Sequence, residues 1–117
     1  MPEVTVPTEA PSVFNTAELS QRMHAVFTQH FGAERVVELK PIMASEDFSR
    51  YWQADKTKQS MLFWVGGTPR DKWDAASGDE TKLPSLHSAY FAPDAEKVIS
   101  TATEAMSVAA LDVLKKG

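Results

Sequence analysis

The chain has 117 residues, no cysteine, and 12 Lys and Arg against 16 Asp and Glu, for a formal net charge of −4. That length suits one domain. Hydrophobic residues at 43% and charged residues at 24% exclude a disordered or low-complexity chain. The missing thiols exclude a disulfide scaffold, and the acidic balance speaks against a nucleic-acid partner. The longest apolar run, residues 61–65, is far short of the roughly 20 residues that a membrane helix needs, so no membrane partner is expected. No basic n-region with an apolar h-region opens the chain, and a cytoplasmic location is expected.

Pro2, Pro7 and Pro11 exclude a helix from residues 1–12 and leave at most a short edge strand at 4–6. Asn15 is suited to cap a helix, with Glu18 three residues later as in a capping box. Leu19, Met23, Val26, Phe27 and Phe31 share a face, and Gly32 suits a helix end, so a helix is predicted over 15–31. Val36, Val37, Glu38 and Leu39 predict a short strand closed by Pro41. Ser45 as N-cap, Glu46 and Asp47 at the positive end, and the shared face of Phe48, Tyr51 and Trp52 predict a helix over 46–54. The run MLFWV at 61–65 fits a strand buried on both faces.

Residues 66–86 carry Gly66, Gly67, Gly78, Pro69 and Pro84 and read as a long loop, a kind that is usually functional or disordered. Asp94 starts the last helix, with Val98, Ile99, Ala102, Ala105, Met106, Ala109 and Val113 as its apolar stripe and Lys115, Lys116 and Gly117 as its end. The order is helix, strand, helix, strand, loop, helix, an α/β pattern. The helical crossover predicts that 36–39 and 61–65 are neighbours in one mostly parallel sheet.

His24 and His30 stand about 240° apart around their helix and cannot share a ligand face. Both read as solvated or half-buried positions. His87 ends the long loop after a strand, where α/β folds build their sites, and neutral imidazole is a metal ligand. An ordinary loop histidine is the commoner case. A metal site needs three or more ligands, and no HxH, HExxH or CxxC pattern supplies them. Glu46 and Asp47 either complement a helix dipole, worth about 0.3–1 kcal/mol, or wall a site in which the N–H groups of residues 43–45 bind an anion. Gly66 and Gly67 permit a sharp turn or a close approach. No GxSxG elbow is present. Trp52, Trp64 and Trp73 read as core or loop anchors.

Four pieces in order resemble one family: PSVFN at 11–15 before a helix, MASEDFSRY at 43–51, MLFWVGG at 61–67, and LHSAYFAPD at 86–94 before an alanine-rich helix. It is the carboxy-terminal segment of the metal-dependent amidohydrolases and peptidases that include aminoacylases, hippurate hydrolases, indoleacetyl-amino-acid hydrolases and carboxypeptidase-G-like enzymes. The resemblance covers about residues 10–115. It implies an α/β fold, part of a three-layer zinc-peptidase-like catalytic domain with a mostly parallel sheet and flanking helices. Residues 1–12 would end an inserted lid or dimerisation domain, and 13–117 would form the C-terminal half of the catalytic domain.

The implied activity is hydrolysis of the amide bond of an N-acyl amino acid or small peptide. Two divalent metal ions are implied, zinc first, with manganese, cobalt or nickel as alternatives. His87 matches a metal ligand. Ala44, Ser45, Glu46 and Asp47 match a motif beside the substrate, and Gly66 and Gly67 would help to shape the pocket. Ala44 stands where the family often has glycine. The other ligands and the general-base glutamate have no match here, so this chain alone is expected to be inactive and to need the remainder of the catalytic domain. A homodimeric parent is implied. Two other readings stand beside this one: a truncated, non-catalytic α/β binding or assembly module, and a small α/β domain unrelated to hydrolases.

Overall fold

The computed structural model describes residues 11–43 and 46–115. Helix α1 spans Ala17–Phe31, α2 Ser49–Ala54, α3 Arg70–Ala75 and α4 Ala95–Leu114, with 3₁₀ turns at Ala33–Arg35 and Glu80–Lys82. Among the described residues there is no β-strand. The chain divides into two compact units, Met1–Phe63 and Trp64–Gly117. The possible edge strand at 4–6 and most of the segment 1–12 lie outside the described residues.

The expected α/β fold with a mostly parallel sheet is therefore overturned, and with it the three-layer arrangement and the pairing of 36–39 with 61–65. The reason is non-local. A pair of short strands is marginal by itself in water. Residues 36–39 run irregularly, with Val37 and Leu39 left 73% and 65% exposed. Residues 60–62 find polar side chains where a neighbouring strand was expected.

Those side chains precede α1. Thr16, not Asn15, takes the N-cap position, and neither caps the helix with its side chain. The Thr16 N–H donates to the Ser60 carbonyl at 2.8 Å, and its hydroxyl both donates to that carbonyl and accepts from the Ser60 N–H. The Asn15 amide donates to the Leu62 carbonyl at 2.9 Å and accepts from the Leu62 N–H at 2.8 Å. The residues expected to start a helix thus also hold a chain segment 44 to 47 positions away. At the far end Gly32 stops α1 as expected, at φ +94°, with its N–H returned to the Thr28 carbonyl. α1 buries Met23 and Phe27, and the Phe27 ring packs on Phe63 at 5.2 Å between centroids.

The second helix begins at Ser49 rather than at residue 46. Glu46 forms a local turn ahead of it: its carboxylate accepts from the Phe48 N–H, and its carbonyl accepts from the buried Ser49 hydroxyl at 2.9 Å. The expected Ser45 cap lies outside the described residues. Trp52 is half-buried against Phe14, with ring centroids 4.8 Å apart.

In the second unit, the expected loop 66–86 contains α3 and a 3₁₀ turn. Arg70 and Asp74 pair along α3 at 2.9 Å. Gly78, at φ +73°, closes that helix by donating its N–H to the Trp73 carbonyl. Asp94 caps α4 as expected, accepting from the Lys97 N–H at 3.3 Å. α4 buries Ala105 and half-buries Val98, Ala102 and Ala109. Ile99, Met106 and Val113, expected on the same stripe, remain more than half exposed. Lys116 and Gly117 lie outside the described residues. Among the described residues no helix is long and apolar enough to cross a membrane.

Candidate functional site

His87 lies in a turn of the second unit that its neighbours build. The Ser88 N–H donates to the Ser85 carbonyl at 2.9 Å, the Phe91 N–H donates to the Ser88 carbonyl at 3.0 Å, and the Tyr90 N–H donates to the Ser88 hydroxyl at 3.2 Å. Three backbone constraints on one serine fix the chain immediately after His87. The His87 side chain is exposed, and no described residue hydrogen-bonds it. Beyond Phe91, the Asp94 N–H donates to the Gly67 carbonyl at 2.9 Å, which ties the start of α4 to the end of the MLFWVGG segment.

Residues 91–93 lie beside Gly67: a Cβ there would stand 3.4 Å from the Pro93 side chain and 3.7 Å from the Phe91 ring, ordinary contacts that do not demand glycine. Gly66 faces open space. Beside this junction is a shallow recess whose walls include Lys72, Leu83, Tyr90 and Phe91. Its volume of about 20 Å³ has room for one water and not for an amide substrate. His87 is not part of its lining.

Glu46 and Asp47 belong to the first unit, exposed, at the turn before α2. The Glu46 contacts are local and shape that turn; the Asp47 carbonyl accepts from the Arg50 N–H. Ala44 and Ser45 lie outside the described residues, as does most of the anion-binding backbone expected at 43–45. His24 and His30 are both exposed on α1, and the His30 ring meets Phe31 edge-on at 4.7 Å. Lys56 stands over Trp52 at 5.3 Å and Trp73 borders Gly78, whereas Trp64 and Trp73, read as core or loop anchors, stay 52% and 40% exposed.

Among the described residues no three His, Cys, Asp or Glu side chains come together in a way that could hold a metal ion. His87 alone does not make a metal site, so the described residues do not by themselves complete the dinuclear centre that the resemblance implies. What the sequence reading missed is the clasp of Asn15 and Thr16 on residues 60–62. A polar pair just ahead of a helix is a capping signal, and nothing local says that it will reach across the chain instead. No family model and no solved structure matches the chain.

Proposed function

We propose that this chain is the carboxy-terminal portion of a metal-dependent amidohydrolase that cleaves N-acyl amino acids or small peptides, and that His87 gives one ligand to its metal centre. The observation that carries this reading is the order and spacing of MASEDFSRY, MLFWVGG and LHSAYFAPD before an alanine-rich helix. The exposed His87, presented by a turn with defined backbone bonds, is compatible with it. The remaining ligands and the proton-transferring glutamate would come from the rest of the catalytic domain, and no catalytic step is assigned to a residue of this chain. Glu46, Asp47, Gly66 and Gly67, with Ala44 and Ser45, would border the substrate. The parent would be a cytoplasmic homodimer holding two divalent ions, zinc first.

In a full-length parent, His87→Ala should lower the metal content per subunit and depress amide hydrolysis, while His24→Ala and His30→Ala should change neither. Elemental analysis beside a hydrolysis assay reads both quantities. Full metal and full activity in the His87 variant would remove the central residue of this reading.

The exposed Ile99, Met106 and Val113 of α4 favour a second reading, a non-catalytic binding or assembly module. The genomic sequence upstream of Met1 separates the two. An HxDxC- or HxDxD-like motif followed by a Glu-Glu pair supports the enzyme, and its absence from the reading frame supports the module.

A further inference from the structure

We draw no further inference here: the strongest candidate, the exposed apolar stripe of Ile99, Met106 and Val113 along α4, carries nothing because nothing in the structure shows what covers it.

Discussion

Asn15 stands one residue ahead of the N-cap of α1 and directs its amide across the chain to Leu62. Both hydrogen bonds are exposed, so each is worth about 0.5–1.5 kcal/mol net. Asn15→Ala should lower the stability of the first unit by about 1–2 kcal/mol, read as a lower urea midpoint with little change in slope. Asn15→Asp keeps the acceptor for the Leu62 N–H and loses the donor, so its loss should be smaller. His87 is a different kind of residue. Its place at the tip of a turn follows from residues beside it, whereas any chemical partner for its ring must come from elsewhere in the molecule or from another chain.

Helix α4 shows what a local signal can do. The Lys97 side chain, and then the Lys97 N–H, favour the charged form of the Asp94 carboxyl and hold it below the usual carboxylate range. The unfolded chain takes up that proton more readily. The contribution of the cap is therefore fully present above pH about 4 and is lost as pH falls through the lower folded value. Helical signal in far-UV circular dichroism should hold from neutral pH down to that point and decline below it. Asp94→Asn keeps a capping oxygen without the charge and should remove this residue's share of the decline. The end of α3 depends on Gly78 at φ +73°. Gly78→Ala should cost about 1 kcal/mol, because a Cβ is strained in that conformation. A thermal melt that is unmoved or raised would contradict the assignment.

At the scale of the whole molecule, the exposed apolar side chains are the informative feature. Among the described residues, large apolar side chains stand in water in both units, among them Leu39 and Met43 in the first and Tyr90 and Leu114 in the second. The buried apolar set among the described residues is small: Met23 and Phe27 in the first unit, Ala76 and Ala105 in the second. Such a chain should bind a hydrophobic dye strongly and melt over a broad range. Co-expression with the upstream half of the proposed parent should suppress the dye signal and sharpen the melt. A sharp cooperative transition of the chain alone, without dye binding, would count against the fragment reading.

The sequence by itself determined the two long helices, the C-terminal end of α1 and the start of α4. Gly32 stops α1 and Asp94 starts α4, because each choice rests on backbone groups three or four residues away. It also determined the face that α1 buries, through the spacing of Met23 and Phe27. The short α3 was hidden between Pro69 and Gly78, where six helical residues are too few to show a period. Tertiary structure alone decided what became of the apolar runs. Val36 to Leu39 and MLFWV carry strand propensity, but a strand exists only when another segment offers its backbone, and propensity does not supply that partner. In this molecule Asn15 and Thr16 hold one edge of residues 60–62, and Val37 and Leu39 are left to water. The same limit applies to the candidate site. The turn that carries His87 is a local construction, and the gathering of ligands around a metal is not.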